Sequence, residues 1–473
     1  MTAAPARRPS TRRTSDPALT EDIPFVVDRS AAEPLAVQVA EGLRAAAAAG
    51  WLRGGDRVPS SRELAARLGV SRTVVTAAYE QLHAEGWLSG RHGSGTYLTA
   101  APQPVPEHAA AAVAPKTAPA LLDLSPGSPC VEAIDRAAWR RAWRAASDRM
   151  PLAVKARGGD PEYRAAVVEH LLRHRGLSAD SETELLATSG TSSAVGEFAA
   201  ALLRPGDRVA IEDPGYLRAA GAFQAAGVEL VPIPLDADGL RVDRIPADVQ
   251  AVYCTPAHQF PLGARMPAAR RVELVEFVRR TGALVIEDDY DGELRYDTAP
   301  LPLLATLAPD VVVHLGTTSK ILSPTLGIGW LVGPPEVTAA VLAYRERTGT
   351  GPAPAGQMVL AEFARHGDLA RHLRRVRRVM PRRRAIVMAE LDRHGLPVLG
   401  DAAGSHLVAP LPNAAAEQRV IAAARERGVY LDGLARHHLG RRHTYGIALG
   451  YAALPRADLA AAARVAGECL ARA

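Results

Sequence analysis

Lys320 closes the tetrapeptide Thr317-Thr318-Ser319-Lys320, and Asp288 lies upstream in the run Ile286-Glu287-Asp288-Asp289-Tyr290. Lysine is scarce in this chain, with Lys116 and Lys155 the only others. An ordinary lysine is a solvated surface charge, whereas Lys320 follows an apolar stretch and a short polar turn. An amine withdrawn from water is destabilised as an ammonium, so its pKa falls and it becomes nucleophilic enough to form an imine. Asp288 follows the apolar run Ala283-Leu-Val-Ile286, at the strand end where α/β folds place ligand groups. A carboxylate there keeps a pyridine nitrogen protonated and makes the ring an electron sink. Together the two residues supply what pyridoxal phosphate chemistry needs. The acids could instead hold Mg²⁺, but no Walker A sequence or acidic partner motif accompanies them, so no metal is expected.

Other segments fit the same chemistry. Ala187-Thr-Ser-Gly-Thr-Ser192 precedes a helical pattern, so its amides and hydroxyls can cradle a phosphate at a helix N-terminus. Glu212-Asp-Pro-Gly-Tyr216 offers an aromatic to stack on the ring, and Tyr290 can donate to the cofactor's phenolic oxygen. Thr255-Pro-Ala-His-Gln-Phe-Pro-Leu-Gly263, which contains His258, would lie along that phenolic edge. The elements that position these groups are short apolar runs at 208–211, 251–254, 283–286 and 311–315, alternating with amphipathic stretches. Such alternation marks an α/β domain with a mostly parallel sheet.

A different unit precedes this one. Leu35 to Ala49 reads as an Ala-rich helix, and Asp56-Arg-Val-Pro-Ser60 as a turn. Ser60 or Ser61 caps a helix from Arg62 to Leu68, and after Gly69-Val70 the residue Ser71 caps another from Arg72 to His83. Val74, Val75, Ala78 and Leu82 form an apolar stripe on the second helix. Arg72, Thr73 and Thr76 stand on its other face near the N-terminus, where a recognition helix meets base edges and phosphates. Gly86-Trp-Leu88 and Thr96-Tyr-Leu98 read as strands flanking the tip Gly90-Arg-His-Gly-Ser-Gly95.

The totals bound the rest. At 473 residues the chain has room for roughly three domains. Its 48% hydrophobic and 23% charged residues are those of a soluble globular protein. No run approaches the ~20 apolar residues needed to span a bilayer. Cys130, Cys254 and Cys469 are too far apart for a disulfide framework or metal site, which fits a reducing cytoplasm. Residues 1–30 read as a disordered basic arm, 31–99 as the DNA-reading unit, 100–120 as an Ala/Pro-rich linker and 121–473 as the cofactor unit.

Val58-Pro-Ser-Ser-Arg-Glu-Leu-Ala65, Leu68-Gly-Val-Ser-Arg-Thr-Val74 and Gly93-Ser-Gly-Thr96 resemble the GntR-type winged helix-turn-helix. The matching positions of that family contact DNA, which implies Arg62, Arg72, Thr73, His92 and Gly93 here. The cofactor segments, in their order and spacing, resemble fold-type I aminotransferases, with a small C-terminal α+β subdomain. The fusion resembles the GabR-like MocR subfamily of regulators. This resemblance implies pyridoxal phosphate on Lys320 as a Schiff base, Asp288 at the ring nitrogen, Tyr290 at the phenolic oxygen and Tyr216 on the ring. It also places Thr191, Ser192 and Thr317 around the phosphate, His258 among the cofactor contacts, and Arg218 at an effector's carboxylate. A homodimer that binds double-stranded DNA and responds to an amine, an amino acid or the cofactor itself follows, located in the cytoplasm and on the nucleoid when DNA-bound.

Two positions depart from the pattern. Relatives place an arginine seven residues after the lysine to clamp the phosphate, and this chain has Gly327. A charge-assisted hydrogen bond is worth ~1.5–3 kcal/mol, so affinity falls roughly tenfold to a hundredfold. Aminotransferases also hold the α-carboxylate with an arginine near Gly446-Ile-Ala-Leu-Gly-Tyr451; none stands there, and Arg441 and Arg442 are the nearest candidates. Both departures argue against efficient transamination; the alternatives are a working aminotransferase that an appended DNA-binding head localises and, given Gly327, a regulator that has lost the cofactor. The basic run Arg371–Arg384 reads as a solvated helix face that Pro381 should kink or restart.

Overall fold

The computed structural model describes residues 25–91, 95–99, 121–150, 153–296, 298–299 and 301–473. His92, Gly93, the arm before residue 25 and the stretch 100–120 lie outside the described residues. The chain divides into two compact units, Met1–Thr117 and Ala118–Ala473.

In the first unit, α1 (Leu35–Ala48), α2 (Ser61–Leu68) and α3 (Arg72–Ala84) pack through Val39, Leu43, Leu64, Val75, Ala78 and Leu82. The Ser60 hydroxyl starts α2 by accepting from the Glu63 amide (3.2 Å), and left-handed Gly69 ends it. Ser71 caps α3 through the Val74 amide at 3.4 Å. Tyr79 is buried on α3, and its hydroxyl donates to the Pro59 carbonyl at 2.6 Å, which fixes the turn between α1 and α2. That turn carries a strand the sequence reading missed. Strand β1 (Arg57–Val58) pairs with β3 (Gly95–Leu98), which pairs in turn with β2 (Leu88–Arg91). β2 begins later than expected because the Trp87 amide still closes α3 onto the Leu82 carbonyl.

The second unit opens with β4 (Leu122–Asp123), followed by β5 (Leu185–Thr188), β6 (Arg208–Asp213), β7 (Glu229–Asp236), β8 (Gly239–Leu240), β9 (Ala251–Cys254), β10 (Leu284–Asp289), β11 (Val312–Thr317) and β12 (Gly329–Val332). β5 to β12 form one sheet in the order β5-β12-β11-β10-β9-β6-β7-β8. Its central pairs are parallel, and β12 and β8 run antiparallel to their neighbours. This is the mostly parallel α/β sheet expected, and all its central strands present their C-terminal ends together. β13 (His406–Leu411), β15 (Asp432–Gly433) and β16 (Tyr445–Gly450) make the small C-terminal sheet, while β14 (Val429–Tyr430) pairs with β4.

The helix Asp368–Arg393 is continuous through Pro381, so the expected restart does not occur. Leu373, Val376, Met380, Val387 and Leu391 bury one face on both sides of the proline, and this anchoring outweighs the lost backbone bond. The basic run is also less solvated than expected. Arg375 donates to the Ala133 carbonyl, Arg377 to the Glu293 carbonyl and buried Arg383 to the Tyr451 carbonyl. These arginines tie the helix to its surroundings.

The largest fully buried side chain is Arg345. It binds Glu197 (2.7 Å) and the Ala187 carbonyl of β5 (2.8 Å) through Nη2, and the Arg157 carbonyl through Nη1. Removing one partner of a buried ion pair strands the other. Arg345→Met is expected to destabilise the second unit by about 3–5 kcal/mol, read as a lower urea midpoint for the intact chain.

Candidate functional site

The C-terminal ends of the parallel strands border a cavity of about 490 Å³, within the ~300–1,000 Å³ usual for small-molecule sites. Thr191, Tyr216, Arg218, Thr255, Asp288, Tyr290 and Lys320 line it, each carried just past or at the end of β5, β6, β9, β10 or β11. Segments distant in sequence meet there, and Lys320 Nζ donates to the carbonyl of Gly127, 193 residues away, at 2.6 Å. Gly127 has φ +93°, and a Cβ on it would lie 3.1 Å from that Nζ. The backbone conformation favours glycine, and a Cβ would also press on the amine.

The acid run divides its work. Glu287 accepts from the Leu304 and Ala305 amides (2.8 and 3.1 Å), and buried Asp289 pairs with Arg175. Only Asp288 of the three faces the cavity. Its Oδ2 accepts from the Tyr253 hydroxyl at 2.5 Å, while its Oδ1 is buried with no hydrogen-bond partner among the described residues. Burial pushes the Asp288 carboxyl up to about 7, against the pull of Tyr253 and Lys320. Burial lowers the Lys320 amine, partly offset by Asp288.

Tyr216 lines the cavity and its hydroxyl lies 3.1 Å from Ser192 Oγ. Phe260 meets the rings of both Tyr216 and Tyr290 edge-on, at 5.8 and 5.9 Å. Ser192, Thr317 and His258 are not on the wall. Thr317 Oγ1 donates to Ser319 Oγ (2.9 Å), beside the Gly190 turn that opens the helix Thr191–Leu202. No side chain caps that helix, so its first amides are left to a ligand. His258 Nδ1 bonds Asp291 (3.0 Å) and lies 3.1 Å from the Tyr290 hydroxyl. Among the described residues, His258, Asp291 and His406 bring possible ligand atoms within 4.8 Å of one another. The His258–Asp291 bond and the 2.9 Å bond from His406 Nε2 to the Pro261 carbonyl account for that grouping as a hydrogen-bond network.

Arg441 and Arg442 are exposed and off the wall, contrary to the sequence expectation. In their place, Asp432, Arg436 and His437 border the cavity. No motif marked these residues. Their turn is latched to the stacking loop, because Asp213 accepts from the Leu439 and Gly440 amides (2.8 and 3.1 Å) and the Gly215 amide donates to the His437 carbonyl (3.0 Å). Gly327 adopts left-handed φ +59°, with nothing within 4 Å of a built Cβ.

The residues present fit pyridoxal phosphate. A buried carboxylate oxygen awaits a donor such as a pyridinium nitrogen, an amine stands in the same cavity, and a helix N-terminus is uncapped by any side chain.

Residues 35–98 match the gntR family of bacterial regulatory proteins, and residues 119–464 match aminotransferase class I and II. Over 441 residues the chain is 33% identical to the HTH-type pyridoxine biosynthesis transcriptional regulator PdxR of Corynebacterium glutamicum, covering 91% of this chain and 94% of that protein. It is 32% identical over 456 residues to the probable rhizopine catabolism regulatory protein MocR of Rhizobium meliloti, with coverages of 91% and 92%. Among solved structures, a Pyrococcus horikoshii kynurenine aminotransferase in complex with PMP matches with a TM-score of 0.68 at 25% identity, over 74% of this chain and 91% of that one. The chain belongs to the MocR-type GntR regulators, in which a helix-turn-helix precedes an aminotransferase-like domain.

Glu212 lies deep under the cavity, accepting from the Thr255 hydroxyl (2.6 Å) and the Gln259 amide (3.2 Å). Burial pushes its carboxyl from 4.5 up to about 7. An acid whose pKa rises on folding stabilises fully below its unfolded value, and that stability is lost as pH rises through the folded one. In cofactor-free protein, Glu212→Gln is expected to remove its part of this decline, on the order of 3 kcal/mol, leaving the parts due to Asp288, Asp289 and Glu417, whose carboxyls burial also raises. Urea midpoints measured from about pH 4 to pH 8 check it.

Proposed function

We propose that this chain is a cytoplasmic transcription regulator, nucleoid-bound when on DNA, whose aminotransferase-like unit reads an amine, an amino acid or pyridoxal phosphate itself. The observation that carries this reading is the Asp288 Oδ1, with no hydrogen-bond partner among the described residues, sharing a cavity with the half-buried Lys320 amine. The chain also has a capped α3 whose N-terminal Arg72 and Thr73 are exposed. Bound in the cavity, pyridoxal phosphate supplies an electrophilic carbonyl carbon and an electron-withdrawing ring.

Lys320 is the covalent attachment point, kept reactive by its burial. Asp288, steadied by Tyr253, holds a proton at the ring nitrogen. Tyr216 stacks on the ring with its hydroxyl tied to Ser192. Thr191, Ser192 and Thr317 gather at the phosphate end, and Tyr290 and His258 at the phenolic edge. Arg218 has no carboxylate partner among the described residues and takes an effector's acid. At the other end of the chain Arg62, Arg72 and Thr73, with His92 and Gly93 from the wing, contact double-stranded DNA. Two such heads on a homodimer suit half-sites spaced by multiples of the ~34 Å helical turn.

Purified protein is expected to be yellow from lysine-bound cofactor, and Lys320→Ala colourless; identical spectra would sink the sensor. Repeated turnovers with amino donors and 2-oxo acids would make it an enzyme instead. Arg72→Ala is expected to weaken operator binding by about 1–3 kcal/mol in a gel-shift titration, with the yellow band unchanged.

A further inference from the structure

We propose that Asp291 and His258 form a positioning pair that turns the Tyr290 hydroxyl proton into the cavity, toward the phenolic oxygen of bound pyridoxal phosphate. This deepens the reading above and rests on it.

The sheet register brings the three residues together. β9 and β10 run parallel, with Cys254 opposite Glu287. Past those ends the chain places His258 beside Tyr290 and Asp291, and all three are buried. His258 Nδ1 lies 3.0 Å from Asp291 Oδ2 and 3.1 Å from the Tyr290 hydroxyl. Its Nε2 is buried with no hydrogen-bond partner among the described residues. A neutral imidazole carries one N–H. On Nε2 that hydrogen would be unmet, a cost that Nδ1 avoids. A carboxylate only accepts, so the hydrogen sits on Nδ1 and is donated to Asp291. The backbone makes room for this contact. Gly404 has φ +72°, and a Cβ on it would lie 2.7 Å from Nδ1 and 2.8 Å from Asp291 Oδ2.

With a hydrogen on Nδ1, His258 offers Tyr290 no lone pair. The Tyr290 oxygen shares that hydrogen as an acceptor, and its own proton must go elsewhere. Among the described residues no other group bonds this hydroxyl, and Phe260, whose ring is 5.9 Å away, is apolar. Tyr290 borders the cavity, whereas His258 is off its wall. The proton therefore points into the cavity, and His258 acts through Tyr290. Burial, with Asp291, Asp288 and Glu212, raises the Tyr290 phenol well above its usual range, so it stays a donor. His406 packs on the other side of His258 and donates from Nε2 to the Pro261 carbonyl at 2.9 Å. Burial, with His258, lowers His406 to about 4, so it is neutral near neutral pH.

The test uses full-length protein loaded with pyridoxal phosphate and follows its visible band against pH. A donated hydrogen bond favours a negative phenolic oxygen, so losing it moves the midpoint to higher pH. Tyr290→Phe is expected to raise the midpoint by about 1–2 pH units. Asp291→Ala removes the acceptor, and Asp291→Asn removes the charge while keeping the shape. Either change releases the hydrogen from Nδ1, which then accepts from Tyr290, and the midpoint should rise toward the Tyr290→Phe value. Loss of the Asp291 charge by itself would act the other way, because that charge raises the Lys320 amine. In a Tyr290→Phe background neither change at Asp291 should raise the midpoint further. A midpoint lowered or unmoved in both Asp291 variants, or raised as much with Phe at position 290, would overturn the proposal. Nitrogen NMR of histidine-labelled, cofactor-free wild type gives a second readout, with His258 assigned by its loss in His258→Gln. The hydrogen is expected on Nδ1, and finding it on Nε2 would overturn the pairing. A wild-type protein with no visible band would instead overturn the cofactor reading, and the NMR result would still decide the pair.

Discussion

A carboxylate with one oxygen satisfied and the other bare is an expensive object to hold inside a protein. Asp288 is in that state: Tyr253 serves Oδ2, Oδ1 has no hydrogen-bond partner among the described residues, and burial drives the carboxyl toward its neutral form. Desolvating an unmet polar atom costs on the order of 1–3 kcal/mol, and the fold accepts that cost at the centre of its largest sheet. The surrounding architecture follows from keeping this oxygen bare. The neighbouring acids are drawn off by Arg175 and by the amides at Leu304 and Ala305. The parallel strands deliver Lys320, Tyr216 and Thr191 to the same rim from distant parts of the chain.

Much of this was legible in the sequence for a simple reason. Strand ends in parallel sheets are where ligands gather, so polar motifs that follow apolar runs betray the site before any coordinates exist. The helix caps Ser60 and Ser71 were readable because an N-cap is a local bond between neighbours in sequence. Tyr253 was missed for the complementary reason. It sits inside an apolar strand, and its hydroxyl role depends on an adjacent strand 35 residues away. Arg436 was missed because it reaches the cavity wall through β15 lying beside β16, a pairing that leaves no periodic trace. The arginines of the Asp368–Arg393 helix misled in the other direction. Their spacing looks like a solvated stripe, but long side chains reach back to carbonyls on distant segments.

The departures from the aminotransferase pattern are coherent in physical terms. Gly327 takes a left-handed conformation with open space at its Cβ. No side chain stands there to supply a cation, and the nearby groups are the Gly190 turn and the Thr317 and Ser319 hydroxyls. Lys320 and Asp288, by contrast, both stand on the cavity wall. That combination suits a receptor, for which occupancy matters and throughput does not.

The latch at Asp213 has a mechanical corollary. Because one carboxylate grips two amides of the C-terminal turn, and the Gly215 amide grips that turn again, the turn and the aromatic loop beside it cannot shift separately. A pull applied to either must be felt by both, as with two pages glued along one margin. Parting the C-terminal turn from the loop that bears Tyr216 would break all three of these bonds at once.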